Sequence, residues 1–274
     1  MNFARCRLLR STLWALISVA GTLLASTAMA ETDEELANQL SNPVAALISV
    51  PFQFNYDQNI GSAKGGNRWQ LNIQPVVPFD LNAEWNIISR TILPVVSQED
   101  IFPGAGRQSG IGDIVQSVFF SPKAPTAGGV IWGAGPVFLI PTGSNDLLTT
   151  DKWGAGPTGV VLKQQGPLTV GALANHIWSF AGNSGRPDVS ATFVQPFLTY
   201  TTSTATTFVL NSESTYDWNS RQWSVPITAG VMQILRIGGQ LVQVGPLVRY
   251  WAADPDRGPH GWGFRLTFTL LFPR

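Results

Sequence analysis

The chain has 274 residues with 17 basic and 17 acidic side chains, a formal net charge of zero, and no basic excess points to nucleic acid as a partner. Charged residues make up 12%, about half the ~25% usual for soluble domains. Hydrophobic residues reach only 44% and mean hydropathy is +0.10; after the first thirty residues no apolar run is long enough for a spanning helix, which excludes a helical membrane protein.

Residues 1–30 read as a secretory signal peptide. Arg5, Arg7 and Arg10 form a positive start, Ser11 to Ala25 is apolar, and Ala28-Met29-Ala30 is a cleavage site of the A-x-A type. Cys6 is the single cysteine and falls in this segment, so the remaining 244 residues have no disulfide framework. They carry 14 basic and 17 acidic residues, a net of −3. Residues 31–43 are expected to form a short helix or linker. Glu31 to Leu40 is acidic and helix-friendly and ends at Ser41-Asn42-Pro43. Such a helix sits either in the periplasm or in the barrel mouth.

From Val44 to the end, period-two alternation dominates, and residues 44–274 read as an all-β, antiparallel transmembrane β-barrel of about twelve strands. Phe52, Phe54 and Tyr56 oppose Gln53, Asn55 and Asp57. Trp69, Leu71, Ile73 and Val77 oppose Arg68, Gln70, Asn72 and Gln74. Trp85, Ile87 and Leu93 oppose Glu84, Asn86 and Arg90. Further strands are expected near 112–120, 129–141, 153–163, 168–180, 189–200, 208–218, 223–234 and 240–251. The terminal strand is the clearest: Phe264, Leu266, Phe268, Leu270 and Phe272 share one face, and Arg265, Thr267 and Thr269 the other. A greasy strand so near the C-terminus resembles the signal read by barrel-assembly machinery, and the expected lipid partner is the outer membrane of a Gram-negative cell.

Connections after even-numbered strands are short, such as Gln165–Pro167 and Arg236–Gly239. Those after odd-numbered strands are mostly longer, such as Ser97–Gly110 and Gly143–Lys152. Short turns belong on the periplasmic side and long loops outside. Trp69, Trp85, Trp132, Trp153, Trp178, Trp218, Trp223, Trp251 and Trp262 are then expected as an aromatic girdle at the outer interface.

Arg68, Glu84, Arg90, Asp113, Glu213, Arg249 and Arg265 are the lumen-lining candidates, because they fall on the polar strand faces. Such charges have two readings. They brace the lumen as pairs, since buried charges must be paired, or they form a constriction that sorts solutes. Gly133, Gly135, Val137, Leu139, Gly171 and Leu173 give the middle strands an apolar inner register that suits an apolar solute or the N-terminal segment. Trp132-Gly133-Ala134-Gly135-Pro136 recurs as Trp153-Gly154-Ala155-Gly156-Pro157. Without a following helix this is no phosphate cradle, and glycines that bend the wall or leave room inside explain it better.

Several stretches carry a family resemblance. They are the Trp153–Pro157 motif, Val170–Ser179 (VGALANHIWS), Gln195–Tyr200 (QPFLTY), Glu213–Trp218 (ESTYDW), Gln222–Ile227 (QWSVPI) and Gly261–Arg265 (GWGFR). In these the chain resembles the proteobacterial family named for the "MetA-pathway of phenol degradation", whose members are often labelled transporters or neuromedin U. The resemblance covers the chain from about Asn42 onward. It implies a porin-like outer-membrane barrel for passage of aromatic or other apolar small molecules, and it supplies no catalytic or binding residues. No metal or cofactor is expected, as His176 and His260 are the only histidines. The enzymatic rival is a membrane-embedded hydrolase built on His176. By parity His176 faces outward beside Trp178 while Asn175 faces in, which favours a girdle histidine. A third reading is a structural barrel whose loops bind partners. The expected function is a channel or facilitator for small-molecule solutes, not an enzyme.

Overall fold

The computed structural model describes residues 32–273, and the signal peptide expected over residues 1–30 lies outside the described residues. One helix, α1 (Asp33–Leu40), precedes the sheet. Thr32 caps it: its hydroxyl accepts from the Glu35 amide, and the Glu35 carboxylate accepts in return from the Thr32 amide. That hydrogen bond from the Thr32 backbone holds the Glu35 carboxyl below its ordinary pKa.

Twelve barrel strands follow among the described residues. They are β1 (Ile48–Ile60), β2 (Gly66–Ile73, continued by Val76–Asp80), β3 (Trp85–Glu99) and β4 (Arg107–Ile111, continued by Ile114–Pro122). Next come β5 (Val130–Ile140), β6 (Lys152–Gln165), β7 (Leu168–Gly182) and β8 (Ser190–Thr201). The last are β9 (Thr206–Ser212, continued by Ser214–Asp217), β10 (Gln222–Ile237), β11 (Gln240–Ala253) and β12 (Gly261–Phe272). Each pairs antiparallel with its neighbours in sequence, and β12 returns to β1 from Ile48↔Phe272 to Tyr56↔Phe264. Closure leaves no sheet edge, the condition for strands to cross lipid.

The alternation read from the sequence is the alternation of the wall. In β12, Phe264, Leu266 and Phe272 are exposed outside, while Arg265, Thr267, Thr269 and Leu271 are buried inside. Two local devices interrupt the pattern. At Gly112-Asp113 an extra residue shifts β4: Gln108 and Gly110 point inward before it, and Ser117, Phe119 and Ser121 after it. On β5 and β6 the repeated motif sets Pro136 directly opposite Pro157. A Cβ at Gly135 would run into the Val118 carbonyl, and one at Gly156 into the His176 carbonyl. The glycines therefore permit a close approach of strands at prolines that cannot donate to the ladder.

The loop rhythm is softer than expected. At one end the turns are 81–84, 123–129, 166–167, 202–205 and 238–239; at the other they are 61–65, 100–106, 141–151, 183–189, 218–221 and 254–260. The stretch Ser97–Gly110 is largely a hairpin, with Ser97↔Ser109 and Glu99↔Arg107 paired, because a strand continues past the wall wherever its partner does.

Candidate solute passage

The helix α1 lies inside the short-turn end. Its Leu36 and Ala37 are buried against Ala205, Ile234, Leu241 and Leu271. Leu36 and Ala37 are adjacent, and Leu40 follows one turn later, so one helical face meets the wall. Polar contacts fix it: the Gln164 amide donates to the Asn38 carbonyl (2.8 Å), Thr199 Oγ1 donates to Ser41 Oγ (2.9 Å), and Arg236 pairs with Asp33 (2.6 Å). The chain then threads the lumen, with Val44 packed among Ile88, Phe119, Val160, Leu162 and Leu173.

Toward the other end lies a layer of charge. Arg265 donates to both Glu213 oxygens (2.9 and 2.6 Å) and through Nε to Asn55 (2.7 Å). Arg249 donates to Asp57 (3.0 Å) and to Glu213 (3.4 Å). Arg68 stands 3.7 Å from Asp57, and the Trp251 indole donates to Asp57 at 3.1 Å. Arg90 donates to Gln74 (3.1 Å), whose amide continues to Gln53 (2.8 Å). Four of the seven lumen candidates, Arg90, Glu213, Arg249 and Arg265, are gathered here, with Arg68 at the margin. Two lie elsewhere. Glu84 is exposed in the turn 81–84, one residue before β3 begins. Asp113 sits at the β4 bulge and ties down loop 141–151: it accepts from the Gly143 amide (3.1 Å), Thr149 Oγ1 (2.7 Å) and both the amide and hydroxyl of Thr150 (2.6 Å each).

Between the charge layer and the N-terminal segment is a cavity of about 230 Å³. Arg90, Gln74 and Asn211 supply polar lining, and Leu173, Phe197 and Met232 supply apolar lining. The apolar inner wall continues above it as Val137, Leu139 and Ile177.

The tryptophans divide three ways. Trp69, Trp153, Trp178, Trp218, Trp223 and Trp262 are exposed on the outer face at the long-loop end. They stack with neighbours, as in Tyr56–Trp69 (4.7 Å) and Tyr250–Trp262 (5.0 Å). Trp85 and Trp132 form an edge-on pair (5.8 Å) at the opposite end, because Trp85 opens β3 and Trp132 lies near the start of β5. Trp251 is not in a girdle at all. It is buried inside, two residues from Arg249 and therefore on the same face, with the Arg249 guanidinium 5.4 Å from its ring. His176 faces outward, 3.9 Å from the Trp178 ring, with Nδ1 2.7 Å from Thr192 Oγ1.

Sequence reasoning missed Asp57, Asn55 and Trp251 as site residues. The signal was present: Asp57 and Asn55 lie on the polar face of β1, and Arg249 fixes the parity of Trp251. Gln74 was likewise visible only as one more polar alternation.

No protein-family model matches the chain, and no curated protein matches it. Solved structures do. The COG4313 outer membrane channel from Pseudomonas putida F1 superposes with a TM-score of 0.64 at 13% identity, over 83% of this chain and 96% of that one. The β-domain of the Bordetella autotransporter BrkA gives 0.47 at 15% identity, over 83% and 100%. Outer membrane phospholipase A from Escherichia coli gives 0.46 at 11%, over 89% and 99%. At these identities the first of them supports the fold: the chain is a closed twelve-stranded antiparallel barrel of the kind found in outer-membrane proteins.

Proposed function

We propose that the protein is an outer-membrane channel or facilitator for small molecules with an apolar or aromatic body, and not an enzyme. The observation that carries this reading is the lumen itself: a cavity bounded by a layer of charge on one side and a seated helix on the other. Eight strands leave a barrel filled by side chains and ~16–18 leave an aqueous channel, so twelve suits a narrow, partly filled passage. The apolar inner wall from Val137 to Leu173 gives such a solute a surface to follow. The likeness to a barrel described as a channel is consistent with it. In this reading the short-turn end and both termini face the periplasm, the long loops face outside, and β12 is the segment met by barrel-assembly machinery. The hydrolase alternative finds little support: His176 is bonded to Thr192 on the lipid face, and His260 to Asp254 (2.9 Å) in an outer loop.

The test is reconstitution of the purified protein in liposomes and planar bilayers. Uptake of a neutral aromatic such as benzyl alcohol is expected to exceed that of protein-free liposomes. Leu36→Asp, which expels α1 from its apolar seat, is expected to raise single-channel conductance. A barrel that passes no solute and no current in either form overturns the channel.

A further inference from the structure

The charge layer does not balance. Arg68, Arg90, Arg249 and Arg265 face Asp57 and Glu213, four guanidinium groups against two carboxylates. Glu213 is engaged by both terminal nitrogens of Arg265 and by Arg249, and Asp57 by Arg249, Trp251 and the more distant Arg68. Arg90 forms no ion pair among the described residues, and its hydrogen bond goes to the neutral Gln74. Glu213 acts on Arg90 only at longer range, so its guanidinium keeps room for a further anion.

The cavity that Arg90 lines has a second polar side chain. Asn211 lines it too, and its Oδ1 is buried with no hydrogen-bond partner. Facing these groups are Leu173, Phe197, Met232 and Leu247. At about 230 Å³ the space is below the ~300–1,000 Å³ of drug-sized pockets. Its chemistry is a cation, an amide side chain and an apolar wall in one small space.

We propose that this cavity binds a small amphipathic monoanion, a carboxylate on an aromatic or short aliphatic body, with the carboxylate on Arg90 and the body against Leu173 and Phe197. A planar guanidinium takes a carboxylate through two parallel hydrogen bonds, a geometry that a neutral alcohol does not use. The inference rests on the channel reading for its biological sense, but the binding site exists or fails independently of flux.

Benzoate and benzyl alcohol, which share a ring and differ in charge, are the probes. Calorimetric titration of the purified full chain in detergent should show benzoate binding more tightly than benzyl alcohol. Arg90→Gln should weaken benzoate on the order of tenfold, the effect of losing a charge-assisted contact, and leave benzyl alcohol unchanged; Arg90→Lys, which keeps the charge but not the planar fork, should fall between the two. Wild-type protein gives the same answer without a variant, through a larger rise in unfolding temperature with benzoate than with equimolar benzyl alcohol. Equal binding of the two probes, or benzoate affinity indifferent to Arg90→Gln, overturns the site. Benzyl alcohol flux into liposomes without Arg90-dependent benzoate binding leaves the channel and removes the site. Benzoate binding at Arg90 with no flux of either probe does the reverse.

Discussion

The inner wall of the barrel has two halves that obey different rules. On β1, β2, β9, β11 and β12 the inward positions carry Asn55, Asp57, Glu213, Arg249 and Arg265, locked in one hydrogen-bonded set, with Arg68 in a looser ion pair to Asp57. On β4 to β7 they carry Phe119, Val137, Leu139, Val160, Leu173 and Ile177, which touch but do not depend on one another's charge. The outward faces of both halves are equally apolar, because lipid imposes the same demand all round. Lipid therefore fixes one face of each strand, while the inner face is free to differ from strand to strand. The polar half stands or falls as a unit, and the apolar half degrades by increments.

The largest expected effect breaks the polar unit at its centre. Glu213→Gln leaves Arg265, buried, and Arg249 without their shared carboxylate, and removing one member of a buried ion pair costs about 3–5 kcal/mol. Urea-induced unfolding of the reconstituted barrel measures it. Arg265→Gln on top of Glu213→Gln should cost much less than it does alone, because partners in one network are non-additive. A smaller effect is expected in the apolar half. Leu173→Ala should cost about 2–3 kcal/mol, toward the low end of the range for buried leucine because the change merges with an existing cavity. Combined with Glu213→Gln it should add nearly in full, and strong coupling between the two would erase the division.

The smallest effect lies outside both halves and sets a baseline for them. In loop 254–260, Asp254 bonds His260 (2.9 Å) and pairs with Lys64 of loop 61–65 (3.2 Å). Burial pushes the Asp254 carboxyl up, but the hydrogen bonds from His260 and Lys64 and their charges outweigh it and hold the group below its ordinary pKa. A carboxyl depressed by folding contributes stability above its unfolded pKa of ~4. That contribution fades as pH falls through the lower folded value. Asp254→Asn should therefore lower stability slightly at pH 7 and not at all in strong acid, within the ~0–1 kcal/mol of an exposed pair. Unfolding midpoints of the two proteins across that pH range check it.

Much of this division is legible in the chain. Period two assigns the residues of β1 as far as Gln58, and those of β12, to their faces, and a strand that closes a barrel has no freedom to slip, since one step would turn its phenylalanines inward. What parity does not supply is height along the strand. Glu84 has the polar parity of β3 but precedes its first residue, and Asp113 loses its place because the bulge at Gly112 resets the count. Trp251 is a different failure. Proximity to a loop argued for the girdle, yet Arg249 two residues earlier already required the inside. Which inward charges meet was invisible, because Asp57 and Arg249 are brought together only by β12 lying between their strands.

The seat of α1 carries a consequence for the order of assembly. Its wall is made by Ala205, Ile234, Leu241 and Leu271, so the last of these residues is three from the C-terminal end of the chain. The helix precedes every strand in the chain, but its apolar face has no seat until β9 to β12, the last strands made, have paired. Of the described elements it comes first in the chain and is seated by the last four. Until then Leu36 and Ala37 stay uncovered, and their burial reports that those four strands are in place.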